Sequence, residues 1–263
     1  MRTSTALPSI FLALVTACLI WPAIHSIPAP VSGDVLNANL GMFTSGHFLG
    51  TDMNGNDVWA RLIHGCRTSL FIAFSVNLIG LALGGSTGAI GAYLGGPVDT
   101  LITRTLDIFI AFPPLIFVLA IAAALRPSEA HTILALSFFS VPMFARVARA
   151  ATLRLREQHF ILAARLAGTR LWRMLFGHIG PNLFPQLLTL LLLNVATVIN
   201  IEGAVSYLGL GVPLPQPTLG NMIYEGQMTL SASPRLVLLP GIVLFALVSA
   251  CNLLGGSLRS KYE

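Results

Sequence analysis

Six stretches of this chain are apolar for about the thickness of a bilayer, and the polar residues fall between them rather than along one face. A hydrocarbon core about 30 Å thick takes about 20 residues of helix. The apolar stretches lie at about 7–24, 69–94, 106–125, 132–151, 184–208 and 234–255. Lipid offers no partner to a bare N–H or C=O, so each run predicts a helix, which satisfies its own backbone. A short apolar N-terminal run also fits a cleaved secretory signal. However, only Arg2 flanks this one, no clear A-x-A site follows, and Pro22, Pro28 and Pro30 come next. A retained helix is expected. An even number of spans places both termini on one side.

Composition turns that pattern into a class. The chain is 55% hydrophobic and 10% charged, against about 25% charged in an ordinary soluble domain. This is a polytopic, all-α membrane protein. The net charge of +5 does not point to nucleic acid, because the basic residues flank membrane-length segments. Arg2, Arg104, the seven arginines from Arg146 to Arg173, Arg259 and Lys261 fall on the side of the termini; Arg61, Arg67, Arg126 and Arg235 fall on the other. The excess of cationic loops marks the cytoplasm. Both termini and the 152–183 loop are therefore expected inside, and residues 25–68 outside. Cys18, Cys66 and Cys251 are far apart and form no metal or disulfide pattern. No two of the six histidines stand three or four apart, so no metal site is expected.

Residues 156–182, REQHFILAARLAGTRLWRMLFGHIGPN, interrupt the oil with arginines. Phe160, Ala164, Ala167, Leu171 and Met174 recur at helical steps, with Arg165 and Arg173 on other faces. Gly168 suits the left-handed residue that ends a helix, Thr169 suits the cap of a second short helix, and Pro181 is expected to stop that helix before the next span. This pattern fits an amphipathic loop resting on headgroups. It also fits a docking surface for a cytoplasmic partner.

Motifs decide between them. AARLAG, followed by HIGP, resembles the EAA loop of ABC importer permeases. GTDMNGNDVWARLIHGCRTSL, at 50–70, resembles the signature of the dipeptide, oligopeptide and nickel permeases, and YLGLGVPLPQPTLGNMI, at 207–223, resembles a second motif of that family. GAYLGGPVDTLITRTLDIFIAFP, at 91–113, and Glu202 before Leu-Gly-Leu-Gly are weaker echoes. The likeness runs in order along nearly the whole chain. It implies six transmembrane helices of the type I importer (MetI-like) architecture with a cytoplasmic coupling helix. Residues 1–68 are then an N-terminal helix and extracytoplasmic segment, and 69–263 the permease core with its coupling loop at about 152–183. The implied partners are a homologous second permease, two ABC ATPase subunits, an extracytoplasmic solute-binding protein and membrane lipid, with no nucleic acid. The implied cargo is a peptide, nickel or a related small solute. By the same resemblance Ala163, Ala164, Arg165, Gly168, His178 and Pro181 couple to the ATPase. Gly50, Thr51, Asp52, Gly55, Asp57, Arg61, Gly65 and Arg67 make up the extracytoplasmic signature. Glu202, Asn200, Tyr207, Gly209 and Gly211 are candidates for the translocation pathway. The chain departs from the pattern at Leu162 (usually Glu), Gly180 (Leu), Asn56 (Arg) and Leu219 (Trp), and its tail lacks Asp-Pro.

Energy is expected to come from outside this chain. A P-loop needs a lysine after its glycines to reach the β- and γ-phosphates. The one lysine, Lys261, stands in the last three residues with no glycine-rich loop before it. No cofactor is expected on this chain, and ATP and Mg²⁺ belong to the ATPase subunits. The glycines of GLALGGSTGAIGAYLGG fit a helix–helix seam. Glu202, with Asn200 and Asn194, puts polar groups at membrane depth, where they pack or line a pathway. GGSTG, at 84–88, also matches the G-x-S-x-G of an intramembrane serine protease, but Ser86 has no histidine in any later span to serve as its base. No catalytic residue is assigned. A secondary transporter would show inverted repeats or several buried ionisable groups, and neither is evident.

Overall fold

The structure, a computed structural model, describes residues 29–262. The expected first span, 7–24, lies outside them. Helix α1 runs over Val58–Leu94. Asp57 starts it: its carboxylate accepts the Ala60 N–H at 2.8 Å, satisfying an orphan donor of the first turn. The helix begins eleven residues before the apolar run at 69–94, because nothing between Val58 and Ser69 breaks it. A π-helical turn, Gly80–Gly84, sits at its middle. Gly95, at φ +68°, turns the chain into α2, Gly96–Ala111.

The expected span at 106–125 is not one helix. It is the end of α2 and then α3, Pro114–Ala124, bent by 78° at the break between them. Pro113 pushes the preceding Phe112 out of the helical region, and Phe112 is extended at φ −87°, ψ 133°. After that come α4, Glu129–Leu155, capped by Ser128 on the His131 N–H at 3.1 Å, and α5, His159–Leu166. Helix α6 follows over Leu171–Tyr207, α7 over Leu219–Gln227 and α8 over Arg235–Tyr262. Thr218 and Asn221 form a reciprocal capping box on α7, an element absent from the span pattern. Among the described residues four helices are long and apolar enough to cross a membrane, or five if the bent α2–α3 pair counts as one span.

The alternating helices sort the connections into two ends. Residues 29–57, 125–128 and 208–234 meet at one end, tied by Arg61 to Glu225, by Gln216 to Glu129 and by Arg235 to Leu49. The α1–α2 turn and the 156–170 loop meet at the other, tied by Arg156 to the Ala92 carbonyl. Between the ends, α1, α4 and α6 share a core with Leu70, Ile72, Phe144 and Ile199 fully enclosed. The glycine-rich stretch is the seam expected of it, and the seam is internal. A Cβ on Gly84 would stand 2.2 Å from the Val141 carbonyl oxygen, and one on Gly88 2.1 Å from that of Ala145. Only hydrogen fits there, so α1 lies backbone against backbone on α4.

Candidate functional site

The 156–170 end has the geometry of a docking surface. Gly168 closes α5 in the left-handed region at φ +74°. Its N–H donates to Arg165 O at 3.0 Å, and the Thr169 N–H to Ala164 O at 3.1 Å, the paired closure that a C-terminal glycine permits. Three details of the sequence expectation change. Arg170, not Thr169, is the cap residue of the next helix and uses no side-chain bond. Pro181 does not end that helix: 174–179 is π-helical, and the wider turn carries the chain past a residue that has no N–H to give. The apolar face is also shifted. Ile161 and Met174 are fully buried and Ala164 half-buried, while Phe160 and Ala167 are exposed. The expected stripe was counted straight through Gly168, and the left-handed residue resets the helical phase.

What stays outside is apolar. Leu166 is 90% exposed, Phe176 74% and Trp172 61%, and the last two rings stack with centroids 5.9 Å apart. Ala163, Arg165, Gly168 and Pro181 are exposed and His178 half-buried. Arg165 lies over the Tyr93 ring, 5.3 Å from its centre. Leu162, the departure from the family's glutamate, is exposed at 41% and adds to this apolar surface.

Between the ends lies a cavity of about 510 Å³ whose lining includes Phe112, Met143, Arg146, Asn194, Thr197 and Ile201. Asn194 donates to the Asn77 side chain at 2.8 Å, so the wall carries a polar strip held from inside the core. Glu202 is not part of that lining. It is wholly enclosed, accepting from Ser69 at 2.8 Å, a bond that joins α1 to α6, and from Ser206 of its own helix at 2.7 Å. Gly211 is buried against Ser206, whereas Asn200, Tyr207 and Gly209 are exposed. The structure therefore separates the five pathway candidates rather than gathering them on one wall. Ser86 donates back to the Ala82 carbonyl of its own helix at 2.5 Å, as a packing serine does.

At the opposite end the signature segment is a built structure. The Asp52 carboxylate accepts the N–H groups of Asn54 and Asn56 at 2.8 and 2.9 Å, the Asn56 amide at 3.0 Å, and Arg61 Nη1. Gly50 and Gly55 have positive φ, and a Cβ on Gly55 would meet the Asp34 carbonyl at 1.9 Å. Thr51 donates to the Asn37 carbonyl and accepts the Leu40 N–H at 2.8 Å. Asn56 replaces the family arginine without leaving a gap, because its Oδ1 accepts the Gly33 N–H at 3.0 Å. Gly65 lets α7 approach, since a Cβ there would meet the Thr218 backbone at 3.3 Å. Arg67 is exposed beside His64 and Phe71 in a cleft of about 680 Å³.

Two residues that hold this end were absent from the sequence expectation. Arg235 donates to the carbonyls of Leu49 at 2.6 Å, Leu40 at 2.5 Å and Thr51 at 3.2 Å. Glu225 receives Arg61 Nη2 at 2.5 Å. Burial pushes the Glu225 carboxyl above its ordinary range, and the Arg61 guanidinium pulls it back. Each partner lies more than 150 residues away in sequence, so no local pattern announces either pair.

Comparison with known proteins agrees with this geometry. Residues 77–260 match the family described as binding-protein-dependent transport system inner membrane component. The chain is 35% identical over 217 residues to the dipeptide transport system permease protein DppC of Haemophilus influenzae, covering 82% of this chain and 74% of that one. It is 32% identical over 220 residues to the glutathione transport system permease protein GsiD of Pectobacterium atrosepticum, covering 84% and 73%. The fold is similar to that of a chain in the inward-facing MetNI methionine ABC transporter, with a TM-score of 0.61 and 18% identity over 77% of this chain and 96% of that one. A helical chain with several apolar spans, a family match over most of its length and this fold leave one assignment: the chain belongs to the inner membrane components of binding-protein-dependent transport systems, the multi-pass permease subunits of ABC importers.

Proposed function

We propose that this chain is one of two permease subunits of a peptide importer, with the 156–170 end in the cytoplasm against the ATPase subunits and the 29–57 end outside, facing the solute-binding protein. Both termini then lie in the cytoplasm. One observation carries the orientation and the docking together: the end richest in arginine also exposes Leu166, Trp172 and Phe176 around the Gly168 turn. Apolar residues at this exposure are unstable in water, and a protein groove covers them better than charged headgroups do. Two ATPase subunits, binding ATP and Mg²⁺ that this chain does not hold, supply the energy. The peptide class rests on the dipeptide and glutathione permeases among its relatives. On this view the cavity with Asn194 and Thr197 is this subunit's half of the pathway, and Glu202 braces α6 behind it.

Single cysteines in a cysteine-free background test the orientation. A membrane-impermeant maleimide applied to intact cells should label position 47 and leave position 159 unlabelled until the membrane is opened. Labelling of 159 in intact cells would invert the protein and end the docking assignment. Uptake of a labelled dipeptide, lost on deletion of this subunit, tests the cargo.

A further inference from the structure

Helix α2 is held to the rest of the chain in an unusual way. Leu106 is the one buried residue among its described side chains, and Phe109 stacked on Phe138 of α4 at 4.1 Å adds one apolar contact near its far end. Polar rungs supply the rest. Arg149 Nε and Nη2 donate to the two Asp99 oxygens at 2.6 and 2.7 Å, a bidentate pair that sets orientation as well as distance. Arg146 donates to Asp107 at 2.9 Å one stretch further along the same two antiparallel helices. The turn into α2, Gly95–Gly96, has positive φ at both residues and is otherwise free to pivot. Arg156 lies across it, with Nη1 on the Ala92 carbonyl at 3.1 Å. Arg165 of α5 reaches the same corner through Tyr93. At its far end α2 supplies Ile110, with Phe112 just beyond, to the wall of the 510 Å³ cavity.

We infer that the Asp99–Arg149 pair, with Arg156 on the Ala92 carbonyl, is the strut that carries a displacement of α5 into α2 and so into the cavity wall. Helices α1 and α4, locked backbone to backbone, can move only as one body with the α5 that follows α4 in the chain, and the polar rungs draw α2 along with that body. Asp99 and Arg149 are positioning residues: they touch neither cargo nor nucleotide. Their side chains are 16% and 33% exposed, well below the 42% and 54% of Asp107 and Arg146, so the first pair is the less screened of the two rungs. This inference rests on α5 being the ATPase dock.

The test uses the whole transporter, with ATPase and binding-protein subunits, in proteoliposomes. Asp99→Asn, Arg149→Gln and the exchanged pair Asp99→Arg/Arg149→Asp are compared for permease abundance, ATPase co-purification, ATP hydrolysis and labelled dipeptide uptake. The single variants should keep abundance, subunit retention and hydrolysis, yet lose uptake per ATP by about twofold to thirtyfold, the span of measured coupling changes. The exchanged pair should recover part of that loss, which assigns it to the contact between the two side chains, and the loss of uptake per ATP at normal abundance and retention is what a merely structural contact would not give. Unchanged uptake per ATP in both single variants, or an exchanged pair as poor as they are, overturns the strut while subunit retention leaves the dock standing. ATPase subunits that co-purify equally well when α5 is deleted overturn the dock, and the strut with it.

Discussion

Replacing Arg61 by methionine should loosen the 29–57 end far more than any substitution among the exposed arginines of the loop. Arg61 is 3% exposed and stands between two carboxylates, Asp52 and Glu225, whose side chains are 12% and 23% exposed. Methionine keeps most of the apolar stem and removes the charge. Breaking a buried pair by deleting one partner costs about 3–5 kcal/mol, because the survivor stays buried without compensation. Asp52 keeps three N–H donors from Asn54 and Asn56, so the loss should fall near the lower figure, about 3 kcal/mol. Most of it belongs to Glu225. Its carboxyl already sits above the ordinary range because it is buried, and Arg61 opposes that rise. Without Arg61 it climbs further. A group whose folded pKa is raised is harmless below its unfolded value, and stability is lost as pH rises through the folded one. The deficit of Arg61→Met should therefore be small near pH 4.5, the ordinary value for a glutamate, and reach its full size above the raised pKa of Glu225. Heating the detergent-extracted permease at a series of pH values and following the folded fraction by size-exclusion measures it. Arg61→Met/Glu225→Gln should recover much of the loss at neutral pH. A single variant as stable as the parent at every pH, or a double variant no better than the single, would refute the buried-charge argument.

Three other substitutions separate shape from charge. Gly168→Val should insert at normal abundance yet lose its ATPase subunits on extraction and stop uptake: nothing lies within 4 Å of the added Cβ, so the left-handed backbone, costing about 1–2 kcal/mol, is the sole intramolecular strain. Arg165→Ala should weaken ATPase retention only slightly, since an exposed cation on a ring contributes about 0.5–1 kcal/mol; retention as poor as that of Gly168→Val would contradict this. Asp57→Ala should lower the amount of assembled complex and leave transport KM unchanged, because Asp57 caps α1 and accepts His47 at 2.8 Å rather than facing cargo, with a cap contributing about 1 kcal/mol.

How far the sequence could be read depended on how far apart in the chain the cause of each feature lies. Helix existence followed from runs of apolar residues, and the turn that ends α5 from a single glycine, Gly168. Both causes are local. The break at Phe112 is local too, in Pro113, but an unbroken apolar run across 106–125 outweighed it when length alone was counted. The stripe on α5 failed for a related reason, since a periodicity summed across Gly168 assumes one helix where the backbone makes two. Asn56, Glu225 and Arg235 lay beyond any such reading: their partners are Gly33, Arg61 and the Leu40–Thr51 carbonyls, and nothing nearby in the chain specifies them.

The same residue type does opposite work at the two ends, and burial decides which. Arg235 gathers three carbonyls from segments that share no helix, and Arg61 joins α1 to α7; neither can move without leaving an acceptor or a carboxylate unmatched in a low-dielectric interior. These arginines fix their end. Arg165, Arg170 and Arg173 are exposed, where an ion pair with a partner contributes about 0–1 kcal/mol and is screened by salt. They are suited to a surface that must hold a partner through a cycle of motion, while the apolar Leu166, Trp172 and Phe176 beside them supply the adhesion. The strut of Asp99 and Arg149 lies between these extremes, half-buried and bidentate. That is what a part needs if it must transmit displacement: enough desolvation to be stiff, and not so much that moving it costs the fold.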